Sequence, residues 1–303
     1  MSGIIITVVL TLALLFAGVV IPFVGILGFV ICALPLAVFA CVEGHQRAAI
    51  SEAIIEAILL IFISPSLAVY FFMSSAPLAG AIYILSESRY KKFTPSENVL
   101  ICITTSIITK LFFLLAYKFF TGQNFLIPNY DDLALVLNQL YPNSKEAEAL
   151  FNYILEIYPK LIPSVIIFAS GLEGLLVYTL TSRIIKKYFQ SAQVKPEPLK
   201  KFEDWKFTYS TILTLFIARI IGHFINADEY PELYYFLLNL QFLGDIILFT
   251  AGLSLTAWFL ARHGLKNITA RNFILAIIIL IPLSWPVLIL LGVADMCFTI
   301  RKQ

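Results

Sequence analysis

The chain has 303 residues, of which 60% are hydrophobic and 13% are charged, and its mean hydropathy is +0.90. A soluble globular domain has about 45–50% apolar and about 25% charged residues, so this composition argues against a soluble enzyme, a disordered chain and a small secreted scaffold. The formal net charge of +2 provides no basic field for a nucleic-acid partner. We therefore expect a polytopic membrane protein that is embedded in the lipid bilayer.

The cysteines and the N-terminal apolar run give no sign of a metal site, a disulfide or a cleaved leader. All four cysteines lie within apolar runs without a C-x-x-C spacing, so we interpret them as small apolar side chains and expect no metal or other cofactor. No Lys or Arg precedes Arg47, so residues 3–20 lack the basic start of a signal peptide and are predicted to remain as a span.

A helix that crosses a bilayer needs about 20 apolar residues. Runs that meet or approach this length are 3–20, 22–41, 49–63, 65–86, 97–120, 161–185, 208–226, 235–261 and 271–297. None alternates in polarity as barrel strands do, so the predicted fold class is all-α, a transmembrane helical bundle of about nine spans, between eight and ten. The last run contains Pro282 and Pro286, and we favour a single kinked span over a hairpin because 27 residues are few for two crossings.

Lys and Arg are concentrated in three short loops, 87–96, 182–207 and 261–271. Cytoplasmic loops carry the excess of basic residues, so these loops are predicted to be cytoplasmic. The segments between them are acidic and are predicted to be external. Counting the spans back from the first basic loop places the N-terminus in the cytoplasm.

The predicted domains are a six-span domain (1–187), a cytoplasmic linker (188–207) and a C-terminal three-span region (208–303). Within the first domain, segment 121–160 is expected to lie outside the membrane. Asn143 begins a helical pattern with one apolar face there, which favours an amphipathic helix on the membrane surface. A plain connector is the alternative.

Four stretches of sequence carry a resemblance to a known family: LPLAVFACVEGHQRAAI (34–50), FEDWKF (202–207), GLSLTAWFLARHG (252–264) and LGVADMCFTIRK (291–302). Through them the chain resembles the YybS-like family of bacterial membrane proteins, which are built around a domain of unknown function. The resemblance runs nearly end to end. It implies a place in a bacterial cytoplasmic (inner) membrane, but it implies no reaction.

The first six spans also resemble the substrate-binding S component of energy-coupling-factor (ECF) vitamin transporters. Leu34, Pro35 and Gly44 match a span that opens with Leu-Pro and the glycine turn after it. Ala13 and Ala17 match the small-residue face that contacts the coupling subunit, since small residues four apart let helices approach closely. The resemblance implies an S-component-like six-helix core with about three extra helices, a small-molecule ligand and a membrane partner subunit.

Several ionisable residues lie inside predicted spans, where each costs about 2.5–3.5 kcal/mol on insertion scales. Lys110 and Glu173 are each about 16–18 Å from the outer ends of consecutive antiparallel spans, so they are expected to pair. Glu52 and Glu56 are four residues apart and share one face of the third span. These four residues are predicted to line a ligand-binding site, and the alternative is that they only lock helices together.

Other residues fit either the ligand-binding interpretation or the structural one. In the fourth span, Tyr70, Ser74 and Tyr83 are candidates for contact with an amphipathic ligand, although ordinary interhelical packing predicts the same residue types. Arg219 and Asp245 lie within about 5 Å of the same depth in adjacent spans, and we interpret them as a structural ion pair.

No enzyme motif is present: the sequence has no H-E-x-x-H, Walker loop or G-x-S-x-G. The leading hypothesis is an integral membrane protein that binds or transports a small metabolite as ECF S components do. The alternative is a non-transport scaffold in cell-envelope or division processes. A third hypothesis, an intramembrane enzyme acting on lipid, is disfavoured because no paired acid–base or metal constellation is found.

Overall fold

The computed structural model describes residues 2–20, 28, 30–87, 93–122, 145–226, 229–265, 267–281, 283–298 and 300–301. All regular elements in these ranges are helices, so the predicted all-α fold class is confirmed for this part of the chain. Residues 88–92 of the first basic loop and residues 123–144 of segment 121–160 lie outside the described residues.

The chain forms two compact units, the first from residues 1–142 and 165–199 and the second from residues 143–164 and 200–303. The helices of the first unit are α1 (Ser2–Val20), α2 (Leu34–Glu43), α3 (His45–Phe62), α4 (Pro65–Ser86), α5 (Pro95–Thr121) and the part of α6 (Lys145–Tyr188) that follows residue 164.

Helix α4 is the centre of the first unit, because it packs against α2, α3 and α5. The chain turns between α2 and α3 at Gly44, whose φ of +93° is a conformation that other residues rarely adopt. A Cβ atom there would also lie 2.8 Å from Oε1 of Gln193. Pro65 then begins α4, where its missing N–H costs nothing.

Two clusters of buried apolar side chains stabilise the first unit. The larger joins α2, α4, α5 and the C-terminal part of α6, with Leu36, Leu78, Cys102 and Tyr178 among its members. The smaller joins α1, α3 and α4 around Phe71. Cys32, Cys41 and Cys102 are buried, whereas Cys297 is exposed.

The second unit contains a short 3₁₀ turn (Phe202–Asp204) and the helices α7 (Tyr209–Phe224), α8 (Pro231–Arg262), α9 (Ile268–Leu280), α10 (Ser284–Phe298) and the first part of α6. Helices α8 and α10 are in backbone contact. A Cβ atom on Gly252 would overlap the carbonyl oxygen of Leu288, and one on Gly292 would overlap that of Leu248. Both glycines are therefore required for this crossing.

Helix α6 is continuous, although the sequence analysis ends an external segment at residue 160 and starts a span at 161. Pro163 removes a backbone donor and crowds the preceding turn. Asn239 of α8 compensates, because its Oδ1 accepts from the Ser164 amide at 2.9 Å and its Nδ2 donates to the Lys160 carbonyl at 2.8 Å. The Asn239 side chain thus takes the place of the helical bond between Ser164 and Lys160, and the helix continues.

Four helices are long and apolar enough to cross a membrane: α4, α5, α6 from Leu155 onward, and α8. Helices α9 and α10 add a fifth span if they are counted together, and their axes differ by 115°. Helices α1, α2 and α7 are apolar but shorter. The structure thus supports four or five candidate spans by length and composition, and the count of nine stays a prediction.

Candidate functional site

A network of charged and hydroxyl side chains surrounds the carboxylate of Glu173 in the first unit. Ser74 Oγ donates to Glu173 Oε1 at 2.5 Å, and Ser106 Oγ donates to Oε2. Lys110 Nζ forms an ion pair with the same Oε2 and donates to Ser106 Oγ at 2.7 Å. The Glu173 and Lys110 side chains are only 3% and 12% exposed, so both charges of this pair are held in the interior of the bundle.

The positions of these side chains follow from two helix contacts. Ser106 and Lys110 are four residues apart on α5 and therefore share one face. Gly174 lets α6 approach α5 closely, since a Cβ atom there would lie 2.8 Å from the backbone nitrogen of Ile103. This contact brings Glu173, the residue before Gly174, to the level of Ser106.

The two glycines beside Glu173 have different surroundings. Gly174 lies against the backbone of α5, whereas a Cβ atom on Gly171 would meet nothing within 4 Å. Gly171 is two residues, or about 200° around the helix, from Glu173, so this free space lies on another face of α6. Gly174 thus provides a close approach to a neighbouring backbone, and Gly171 provides free space on the other face of α6.

The two tyrosines expected near Glu173 are in different places. Tyr70 precedes Ser74 by four residues on α4, so it lies on the face that contacts Glu173, and its ring packs edge-on against Phe113 at 5.3 Å between centroids. Tyr83 is nine residues beyond Ser74, about 13 Å along the helix. Its ring contacts His45 at 5.4 Å instead.

A second carboxylate site lies on the other side of α4. Ser75, the neighbour of Ser74, donates to Glu52 Oε1 at 2.6 Å. Glu52 Oε2 and Glu56 Oε1 are buried and have no hydrogen-bond partner among the described residues. The structure therefore divides the predicted set of four charged residues into a paired site at Lys110 and Glu173 and an unpaired site at Glu52 and Glu56.

In the second unit, Arg219 donates to Asp245 Oδ2 at 2.7 Å. Their side chains are 54% and 37% exposed, so this pair lies on the surface of the unit. It adjoins a polar cleft of about 380 Å³ that also includes His223, Tyr234 and Gln241.

Glu203 is the centre of a polar cluster in the second unit. Arg271 forms an ion pair with its carboxylate, and Arg301 donates to its carbonyl oxygen at 2.8 Å. Arg301 also binds Asp295 and Ser254, at 3.0 and 2.9 Å. The sequence analysis does not identify this cluster, although three of the four stretches that carry the family resemblance contribute to it.

These contacts show how α9 and α10 are arranged. Arg271 is in the first turn of α9 and Arg301 follows the end of α10, yet both contact Glu203. Ser284 Oγ donates to the Ile278 carbonyl at 2.5 Å and Trp285 Nε1 to that of Ile279 at 2.9 Å, which satisfies free carbonyls where α9 ends. Both ends of the pair thus lie beside Glu203, and the bend of 115° between its helices is that of a broken span or a re-entrant loop.

The predicted partner-helix face of α1 is partly open in the structure. Ala13 is exposed and Ala17 is half-buried. The face is thus not fully covered by other described residues of the chain.

Sequence reasoning misses Ser106, which binds the Glu173 carboxylate, and it does not foresee that Ser75 binds Glu52. Each is a small polar residue within an apolar run, at the depth of an acidic residue in another span. That coincidence of depth is the one signal that the sequence offers for them.

A family profile described as "Predicted membrane protein (DUF2232)" matches residues 9–296. No curated protein and no solved structure matches the chain. The profile covers nearly the whole chain and bears out its membrane character, whereas the YybS-like and S-component resemblances stay predictions.

Proposed function

The chain belongs to the DUF2232 family of predicted membrane proteins, and we propose that it is a non-enzymatic binding component for a small metabolite. In this proposal it resides in a bacterial cytoplasmic membrane with its N-terminus in the cytoplasm. It presents the metabolite to a membrane partner subunit, in the manner of an ECF S component, and the face of α1 that includes Ala13 and Ala17 is the contact surface.

The observation that carries this proposal is the buried Lys110–Glu173 pair. Ionisable residues within a bilayer are costly, and those that are kept there commonly serve substrates or ions. An ammonium group has three N–H donors, and Glu173 and Ser106 accept two of those of Lys110. In this proposal the third donor binds an acceptor group of the ligand, such as a carboxylate or a hydroxyl group.

The surroundings of the pair indicate the character of the ligand. Tyr70 of α4 and Phe113 of α5 contribute aromatic rings on the helix faces that carry Ser74 and Lys110. A ligand with one polar acceptor group and an apolar or aromatic body suits these walls. The sequence does not name a particular metabolite.

The proposed topology combines the basic loops with the C-terminal hairpin. The first eight apolar runs are eight crossings that place loops 87–96, 182–207 and 261–271 in the cytoplasm. Since α9 and α10 return to Glu203, the ninth run is a re-entrant hairpin and not a crossing. Arg301 then also lies on the cytoplasmic side, which agrees with the distribution of basic residues.

The alternative function is a membrane scaffold without a ligand. It is favoured by the fact that both carboxylate oxygens of Glu173 already accept hydrogen bonds within the chain. In that case the network fixes α4, α5 and α6 relative to one another. The two functions differ in what the Glu173→Gln variant loses.

The test is native mass spectrometry of the purified protein, with the mass of any retained metabolite as the readout. We expect the wild-type protein to carry a small molecule, and Glu173→Gln to lose it at least tenfold while its yield falls less than twofold. Asp245→Asn, which weakens the ion pair of the other unit, is the matched control and should retain the molecule. A wild-type protein with no bound metabolite, or a variant that loses yield and not ligand, would support the scaffold.

A further inference from the structure

Glu52 and Glu56 line a cleft in the first unit that the proposed function does not use. They lie one turn apart on α3 and face α2 and α4 across a space of about 210 Å³. The wall is otherwise largely apolar, and its members include Leu36, Ala40, Phe72, Ala76 and Ala79. The cleft is thus an apolar chamber with two acidic groups on one side.

The charges of this cleft are not balanced within the described part of the chain. Ser75 donates to one oxygen of Glu52, but Glu52 Oε2 and Glu56 Oε1 are buried and accept nothing from the described residues. The Glu52 residue is only 4% exposed. A buried acceptor without a donor is costly, so these two oxygens need a partner beyond the described residues.

The neighbouring basic groups are engaged elsewhere. Lys110 pairs with Glu173, and Arg47 forms an ion pair with Glu43 on the outside of the turn. His45 lines the same cleft, and its ring lies against Tyr83. None of the three donates to the free oxygens of Glu52 and Glu56.

The size of the cleft indicates the class of the missing partner. A water molecule occupies about 30 Å³ in the liquid, so the cleft has room for about seven molecules of that size. A bare inorganic cation would leave most of this volume empty. An ammonium group provides a positive charge and several N–H donors without an acceptor, and a short alkyl chain attached to it would fill the apolar part.

We propose that this cleft binds a small alkylammonium cation. The N–H groups of the ligand bind Glu52 Oε2 and Glu56 Oε1, and the alkyl chain packs against Phe72, Ala76 and the other apolar walls. The exposed side chains of Ala53 and Phe72 at its edge leave the cleft accessible. The site is separate from the Lys110–Glu173 pair, so the proposal does not depend on the function assigned to that pair.

The test uses n-butylammonium chloride as the probe and the full-length protein in detergent, with affinity measured by calorimetry and thermal shift. We expect saturable binding to the wild-type protein. Glu52→Gln and Glu56→Gln should each weaken it at least tenfold, because each removes a charge and an acceptor. Glu156→Gln is the matched control, since Glu156 is 71% exposed and lies in the other unit. Glu173→Gln should also leave butylammonium binding unchanged, which separates this site from the metabolite site.

Three further arms identify the chemistry. Butanol, which has the same alkyl chain without the charge, should not bind. Methylammonium should bind more than tenfold more weakly than butylammonium, because each buried methylene is worth about fourfold in affinity. Sodium or potassium chloride at equal concentration should not compete.

Ala76→Leu, which fills the cleft and keeps both carboxylates, should abolish binding even if the glutamine variants fold poorly.

Unchanged affinity in both glutamine variants would overturn the proposal, and so would equal binding of butanol. Competition by sodium or potassium at equal concentration would also overturn it, in favour of an inorganic cation. A wild-type protein that shows no saturable binding of butylammonium would exclude the site altogether.

Discussion

Ser74 and Ser75 are consecutive residues of α4, and each donates a hydrogen bond to a different buried carboxylate. Ser74 binds Glu173 of α6 at 2.5 Å, and Ser75 binds Glu52 of α3 at 2.6 Å. Successive residues of a helix are rotated by about 100°, so their side chains reach different neighbours. Helix α4 therefore holds two acidic sites apart with two adjacent hydroxyl groups.

This relationship predicts selective energetic coupling. Removing one hydrogen-bond donor from a buried charged group costs about 1–3 kcal/mol. We expect Ser74→Ala to be strongly coupled to Glu173→Gln and nearly additive with Glu52→Gln, and Ser75→Ala to show the opposite pattern. Double-mutant cycles on the free energy of unfolding in detergent measure this. Equal coupling of Ser74 to both carboxylates would show that the two sites form one network.

The close approach of α5 and α6 predicts opposite effects at two glycines. Gly174→Ala should destabilise the protein by about 2 kcal/mol, because its Cβ atom would lie 2.8 Å from the Ile103 backbone and must push the helices apart. Gly171→Ala should be neutral or stabilising by up to about 1 kcal/mol, since alanine favours helix and a Cβ atom there meets nothing within 4 Å. Thermal unfolding of the two variants in one detergent compares them directly. A larger loss at Gly171 than at Gly174 would contradict the packing of these helices.

How much of this site the sequence predicts depends on the kind of information. Depth along a span follows from counting residues, because each residue advances a helix by about 1.5 Å. Counting therefore places Lys110 and Glu173 at one level. The rotation of each helix about its axis does not follow from counting. The contact of Ser106 with Glu173, and the binding of different carboxylates by Ser74 and Ser75, are therefore seen only in the packed structure.

The C-terminal region is a second place where counting residues does not predict how the helices pack. A run of 27 apolar residues is long enough for one crossing, and length alone favours a single span there. The bend between α9 and α10 depends on contacts that a residue count does not contain, namely those of Ser284 and Trp285 with carbonyls of α9 and those of Arg271 and Arg301 with Glu203.

The hydrogen bonds that Asn239 makes to the backbone of α6 are expected to stabilise the protein. Asn239→Ala leaves the Ser164 amide and the Lys160 carbonyl without their partner, which should cost about 1–3 kcal/mol. Gln241→Ala on the same helix is the control, because the Gln241 amide makes a single long bond of 3.4 Å to Ala218. The free energy of unfolding of both variants tests this. A loss at Gln241 as large as that at Asn239 would argue against a special role for the bridge.

The proposed C-terminal hairpin predicts the side of the membrane on which Ile300 lies. Because both ends of the α9–α10 pair contact Glu203 in the basic loop region, residue 300 should be cytoplasmic. Cys297 is exposed and free, so labelling should be done in a Cys297→Ser background. A membrane-impermeant maleimide should then react with Ser144→Cys in intact cells. It should react with Ser191→Cys and Ile300→Cys only after the cells are permeabilised.

The three labelling positions separate the two arrangements of the last run. A single kinked span would carry residue 300 across the bilayer, about 48 Å from the start of α9 at the helical rise, and Ile300→Cys would then be labelled in intact cells. Labelling of Ser191→Cys in intact cells would contradict the whole topology, because its loop is the most basic of the three.

Glu203→Ala provides a final check on the hairpin: it removes the ion pair with Arg271 while leaving the backbone carbonyl for Arg301. We therefore expect lower thermal stability in this variant with residue 300 still cytoplasmic, and external labelling at 300 would show that the hairpin depends on that ion pair alone.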